Sequence, residues 1–307
     1  MKAGVIETVS QTDIPASAGS RSPNRLAADY AELVKARLTL LVLLTTAVGY
    51  YMGAGQPTDY AGLFHVVFGT ASAAAGAAAL NQWWERKADA LMERTKRRPV
   101  PGGRMRPMEA LTVGSVLSLF GVIYLAVACN GLSAFLAAIT VVIYIFAYTP
   151  LKRVSNFNTL VGAVPGALPP LIGWAAARAT LDAGAWSLFA ILFFWQLPHF
   201  FAIAWMYRDD YARAGFQMIS NDDHGGERSA SQSVFFSILL LVIAGIPAFM
   251  AMTSQVYLVI ELVLGGAFIA VAMRFLRKPT PRAARRLFIT SVIYLPLLLS
   301  ALVLTKI

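Results

Sequence analysis

The sequence predicts an all-α, polytopic membrane protein built as a bundle of nine transmembrane helices, and three observations carry that reading. Of its 307 residues, 57% are hydrophobic and only 14% charged, with a mean hydropathy of +0.61, outside the range of an ordinary soluble domain. Nine apolar runs recur along the chain, each near the roughly 17–20 residues that span a bilayer as a helix. All but two of the 26 Lys and Arg side chains fall between alternate runs or ahead of the first; the exceptions are Arg178 and Lys306. Backbone amides at bilayer depth must be satisfied within their own segment, which makes the runs helices, and the period-two alternation of a barrel is absent.

The runs are 38–53, 61–83, 111–129, 132–149, 159–177, 185–206, 234–252, 256–274 and 286–304. The first is short unless it begins near Leu33, which would require Lys35 and Arg37 to snorkel to the interface. The second leads into Asn81, Glu85 and Asp89, and then into Arg94, Lys96, Arg97, Arg98 and Arg104. The fourth ends in Tyr144, Tyr148 and a Pro150 stop, followed by Lys152 and Arg153. Within the fifth, GAVPGALPPLIGW (162–174) supplies Gly and Pro that loosen the backbone or permit close helix packing. The sixth holds Pro198 and His199 inside WQLPHF and ends in Arg208-Asp209-Asp210-Tyr211; a Gly-rich loop with Asp222, Asp223, His224 and Glu227 follows.

Residues 1–33 are polar and lack the apolar core of a cleavable signal peptide. They read as a flexible cytoplasmic arm ahead of one intramembrane domain, 34–307. The positive-inside rule puts the N-terminus in the cytoplasm and the C-terminus outside. The +10 net charge is then mostly topology, with some of it available to anionic lipid headgroups, and is no nucleic-acid signature. The single cysteine, Cys129, excludes an internal disulfide and a CxxC haem attachment.

Asn81, Glu85 and Asp89 are spaced by four, so on a helix they project about 40° apart from nearly one face. Carboxylates able to hold a divalent cation, beside guanidinium groups able to hold phosphate, point to chemistry on a diphosphate at the cytoplasmic membrane surface. Spacing alone is equally consistent with Glu85 and Asp89 capping a helix and pairing with Arg86, Arg94 or Lys96. The arginines alone could be topology, His199 alone a packing histidine, and Asp209 and Asp210 an ordinary acidic loop start. What favours chemistry is that two acidic sites and several basic loop ends all face one compartment. A prenyl diphosphate needs this combination: Mg²⁺ and cations for its head and an intramembrane cleft for its tail.

Asn81-x3-Glu85-x3-Asp89 resembles the first aspartate-rich motif of the UbiA superfamily of intramembrane prenyltransferases. Five ordered strings resemble the branch that farnesylates protohaem: DALMERTKRRPVPGGR (89–104), YTPLKR (148–153), NTLVGAVPGALPPLIGW (158–174), WQLPHFFAIAW (195–205) and RDDYARAGFQM (208–218). The resemblance implies farnesyl diphosphate and haem B as substrates, with haem a substrate and not a prosthetic group, and haem O and diphosphate as products. It implies one Mg²⁺ on Glu85 and Asp89, a second on Asp209 and Asp210, and Asn81 orienting the first. Arg94, Arg97 and Arg98 would bind the diphosphate with Arg153 also on the substrate, while Lys152 and Tyr148 would line the reaction centre. His199 would touch haem, as axial ligand or propionate partner. A bacterial inner membrane is the implied location, with haem A synthase or oxidase assembly factors as candidate neighbours.

Two departures stand out. Glu85 replaces the superfamily's usual Asp, and no full D-x3-D follows the sixth run, leaving Asp222 or Asp223 as alternative second-metal ligands. Rival readings are a UbiA-type enzyme acting on a quinone precursor, which should lack WQLPHF, and a transporter, which would carry its polar residues at midplane.

Overall fold

The computed structural model describes residues 23–307. Residues 1–22 of the expected arm lie outside the described residues, and its remainder is a helix, α1 (Pro23–Leu33). The helix is held down: Leu33 is fully buried, and Arg104 binds Asp29 at 2.6 Å and Glu32 at 2.5 Å. Those anchors lie 75 and 72 residues ahead of Arg104 in the chain, which is why the polar composition of the segment read as an arm.

Nine spans follow among the described residues. They are α2 (Ala36–Gly53), α3 (Tyr60–Asp89), α4 (Pro107–Ala128), and α5 (Gly131–Val142) continued by a π-helical stretch, Ile143–Tyr148, and a short α6 (Thr149–Leu151). Next come α7 (Asn158–Ala167) joined to α8 (Pro169–Arg178), and α9 (Ala183–Met206), then a short surface helix, α10 (Arg208–Arg213). The last three are α11 (Glu227–Ala244) with α12 (Ile246–Phe249), α13 (Gln255–Arg277) and α14 (Pro281–Leu304). The expected runs are all present, with two informative shifts. The seventh span starts at Glu227, in what reads as loop, because Asp223 accepts from the backbone of Arg228 at 3.2 Å and Ser229 at 2.7 Å and so opens the helix. Pro150 does not stop its helix at once. Lacking an N–H, it also crowds the carbonyl four residues back, and the wider π turn ahead of it accommodates both.

Lys35 adopts a left-handed backbone, φ 49°, and breaks the chain between α1 and α2. The first span therefore begins at Ala36, and Lys35 is aimed inward where snorkelling would have carried it out to the interface. Helix α2 lies against α8 at backbone contact: a Cβ on Gly49 would overlap Pro170, and one on Gly173 would overlap Thr46. This is close small-residue packing, the main route to helix association in lipid. The two cations that break the charge rule cap this helix on the far face. Arg178 donates to Gly53 O at 2.5 Å, and Lys306 donates to Tyr51 O at 2.6 Å and Ala54 O at 2.8 Å, satisfying carbonyls that a helix end leaves unpaired.

Helices α2, α3, α4, α5 and α8 form one side of the bundle and α9, α11, α13 and α14 the other. The site lies where α3, the end of α6 and the loop after α10 meet.

Candidate active site

The three residues spaced by four on α3 are all buried: Asn81, Glu85 and Asp89 are 1%, 6% and 1% exposed. Each is paired with a cation from a different part of the chain. Lys35 donates to Asn81 Oδ1 at 2.7 Å, Lys152 to Glu85 Oε1 at 2.8 Å, and Arg98 to Asp89 Oδ2 at 2.8 Å. Asn81 also donates to Thr149 Oγ1 at 3.3 Å, fixing its amide so that the carbonyl faces Lys35. Lys152 sits 4.4 Å from the centre of the Tyr148 ring and 5.6 Å from that of Phe216. Burial alone would pull its ammonium down, but the Glu85 carboxylate and the Tyr148 and Tyr144 phenols hold it well above the usual lysine range. Burial, then the charge of Arg98, pushes Lys35 the other way, down to about 7. Lys35, whose charge is disfavoured by burial and by neighbouring cations, gains from an incoming anion.

A cleft of about 310 Å³ leads away from this row. Lys35, Tyr144 and Tyr148 line its polar end, and Val42, Ala74 and Pro169 its apolar walls. A narrower hollow continues past Ala74 toward Ile172. On α9 the wall is made by Gln196 and Phe200. His199, on the neighbouring face, turns to α14, where its ring packs 4.9 Å from Phe288 and its Nδ1 lies 2.7 Å from Ser291 Oγ. Ser291 Oγ also lies 2.6 Å from Phe288 O; with the hydroxyl proton on that carbonyl, His199 Nδ1 is the donor and Nε2 carries the lone pair.

The second acidic pair is arranged differently. Asp209 is exposed, with Arg208 3.6 Å away, and Asp210 is buried and held by Arg213. Their loop nevertheless closes over the site. Gln217 N donates to Lys152 O at 2.6 Å, and the Arg94 guanidinium stacks 4.8 Å from Tyr207 and 4.5 Å from Tyr211. Arg97 and Arg153 point out from the surface. Asp222 is exposed, and the Asp223 carboxylate is taken up by the start of α11. Among the described residues no three of His, Cys, Asp and Glu gather as a metal cluster.

The α3 carboxylates do suit a hard cation. Asp89 Oδ1 is buried without a hydrogen-bond partner, an orphaned acceptor aimed at the site, and Mg²⁺ commonly takes only one or two carboxylates, completing its shell with phosphate oxygens and water. The sequence reading missed Lys35, taken there for an interfacial cation, and Gln196. The available signal for Lys35 was a cation set against an apolar run, but nothing local indicates that it turns inward.

Comparison with known proteins bears on the family and the fold. The UbiA prenyltransferase family pattern matches residues 42–298. The chain is 44% identical to a protoheme IX farnesyltransferase of Solibacter usitatus, covering 91% of this chain and 98% of the relative. It is 38% identical to the mitochondrial protoheme IX farnesyltransferase of Arabidopsis thaliana, covering 91% and 65%. Among solved structures, a digeranylgeranylglyceryl phosphate synthase superposes with a TM-score of 0.76 at 16% identity, covering 92% of this chain and 98% of that one. A UbiA homolog from Archaeoglobus fulgidus bound to GPP and Mg²⁺ gives 0.63 at 16%, covering 89% and 99%. At that identity the structural likeness speaks for the fold.

Proposed function

From the premise that the chain belongs to the UbiA prenyltransferase family, we propose that it transfers the farnesyl group of farnesyl diphosphate to a vinyl group of protohaem IX, giving haem O and diphosphate. The observation that carries the reading is the row of Asn81, Glu85 and Asp89, each matched to a cation, at the head of an apolar cleft. The names of its relatives supply the acceptor.

In this reading Glu85 and Asp89 hold Mg²⁺, with Asp209 and Asp210 candidates for a second ion brought in with the substrate. When bound, the metal neutralises charge on the departing diphosphate. Arg98 and Lys152 would exchange their carboxylate partners for phosphate oxygens; Arg94 and Lys35 add charge from either side, and Arg97 and Arg153 lie farther out on the approach. Arginine's planar fork suits such oxygens. The allylic C–O bond then breaks, its electron pair leaving with the diphosphate. Tyr144, Tyr148 and the apolar walls keep water from the farnesyl cation until the vinyl group attacks it. Water adds to the resulting haem-side cation and loses a proton, completing the hydroxyethylfarnesyl group.

His199 is the residue we assign to haem contact, through Nε2, with haem approaching from the α9–α14 side. We read the bundle as lying in a bacterial cytoplasmic membrane, N-terminus inside and C-terminus outside, a reading supported by the one-sided cations. A haem A synthase or an oxidase assembly factor is the candidate protein partner in this reading.

The test is conversion of haem B, with farnesyl diphosphate and Mg²⁺ in membranes, followed by chromatography and mass. Haem O formed by the parent and lost in Asp89→Asn is the expected result. Folded protein that makes no haem O but prenylates 4-hydroxybenzoate would replace the acceptor by a quinone precursor.

A further inference from the structure

Five cations converge on one cavity at the tip of the α13–α14 hairpin, and nothing in the prenyl-transfer chemistry employs them. Arg274, Arg277 and Lys278 come from the end of α13, and Arg282 and Arg286 from the first turns of α14. The cavity is about 600 Å³, and no Asp or Glu lines it. Among the described residues none of the five has a carboxylate or aromatic partner. The positive-inside rule accounts for the face on which they lie. It does not account for their crowding around one hollow, where like charges repel unless an anion sits among them.

The rest of the cavity specifies what kind of anion. Helix α14 begins here with Pro281, which has no N–H, and Thr280 takes the amides of Ala283 and Ala284 through its Oγ1 and carbonyl, so it is the planar guanidinium forks of Arg274, Arg277, Arg282 and Arg286 that suit the cavity to phosphate. The floor is apolar, made by Val271, Ala283 and Ile289. From Ile289 an exposed stripe runs down α14 through Ile293 and Leu297, 44%, 54% and 49% exposed, spaced by four and so on one face. A phosphate-binding rim continuous with a lipid-facing hydrocarbon track fits an amphiphile. We propose that this cavity binds the phosphate headgroup of an anionic phospholipid, with an acyl chain lying along Ile289, Ile293 and Leu297. Basic pockets between helices on the cytoplasmic side recognise such headgroups.

The test uses the full chain in neutral detergent, titrated with dioleoylphosphatidylglycerol, dioleoylphosphatidylcholine or inorganic phosphate, with bound lipid counted by native mass spectrometry. Arg282→Gln/Arg286→Gln is compared with Lys87→Gln/Arg106→Gln, which removes equal charge elsewhere on the same face. Phosphatidylglycerol should bind the parent and the control alike, and the Arg282/Arg286 variant roughly thirtyfold more weakly, at about 1 kcal/mol per cation. If that variant is not recovered folded, Arg286→Gln alone should lose roughly fivefold. Three results would each overturn the proposal: equal affinity for phosphatidylcholine, equal loss in both double variants, which would mean diffuse surface charge, or full displacement of the lipid by millimolar phosphate, which would make this a soluble-anion site.

Discussion

Lys152 Nζ meets Glu85 Oε1 at 2.8 Å across a separation of 67 residues. The pair ties the end of the fourth span to the middle of the α3 acidic row, and both side chains are nearly buried, at 11% and 7% exposure. Removing one partner of such a pair strands the other, at about 3–5 kcal/mol, whereas removing both together is far milder. Lys152→Met should therefore lower the thermal midpoint in detergent sharply, and Glu85→Gln/Lys152→Met should recover most of it. Prenyl transfer should be lost in both. A double variant as unstable as the single one would contradict the pairing.

Asp89→Asn keeps the shape of the site and removes one charge. Arg98 is 26% exposed and can be rehydrated, so the variant should fold with a midpoint close to the parent. Its transfer rate should fall by about 10² or more, since charge on the leaving diphosphate is no longer neutralised at this point. Raising Mg²⁺ should restore little of it. The readouts are turnover across a Mg²⁺ titration and thermal unfolding.

Glu85→Asp draws the carboxylate back by about 1.5 Å, the length of one methylene, and Mg²⁺ is strict about geometry. In this chain the Glu85 carboxylate is located by Lys152, so the shorter side chain should raise the Mg²⁺ concentration needed for half-maximal activity, although Asp is the commoner residue in the superfamily motif. A Mg²⁺ titration that matches the parent would show that Glu85 does not position the ion.

Ala74 lies where the main cleft and its narrower continuation join. Ala74→Phe should block the far end while leaving the charged head intact. Activity should then shift from farnesyl toward geranyl diphosphate, read as the ratio of kcat/KM for the two donors. Equal loss with both donors would mean that the tail runs elsewhere.

His199→Ala should weaken haem binding, read from titration of the haem absorption band, and leave the KM for farnesyl diphosphate unchanged. Ser291→Ala removes the group that keeps the proton on Nδ1, so a smaller loss is expected, together with a changed ¹⁵N signature of the imidazole tautomer. Unaltered haem titrations in both would remove His199 from the haem path.

The architecture was legible because lipid leaves the chain few choices. Runs such as 185–206 and 256–274 must be helical wherever they sit, and a strict count of cations between runs marks the face. Asn81, Glu85 and Asp89 were legible as one helical face because a period of 3.6 is a local property. The departures have the opposite character. Helix α1 is ordered by Arg104, which reaches Asp29 and Glu32 from the far side of two spans. Asp223 stood in the sequence as a loop residue, and its place at the start of α11, accepting from Ser229 N, depends on where that helix begins.

Composition and periodicity were thus sufficient for the nine spans among the described residues and for the acidic row, since each depends on neighbours within a few turns. Which cation meets which acid was not readable in this way. Lys35, Arg98 and Lys152 are all basic residues at ends of helices or in loops, as are Arg97 and Arg153, yet only the first three reach the α3 row. The choice follows from the left-handed turn at Lys35, the π stretch ahead of Pro150 and the loop after α10 resting on Lys152. Each aims a side chain by a backbone geometry whose cause is packing between segments distant in the chain.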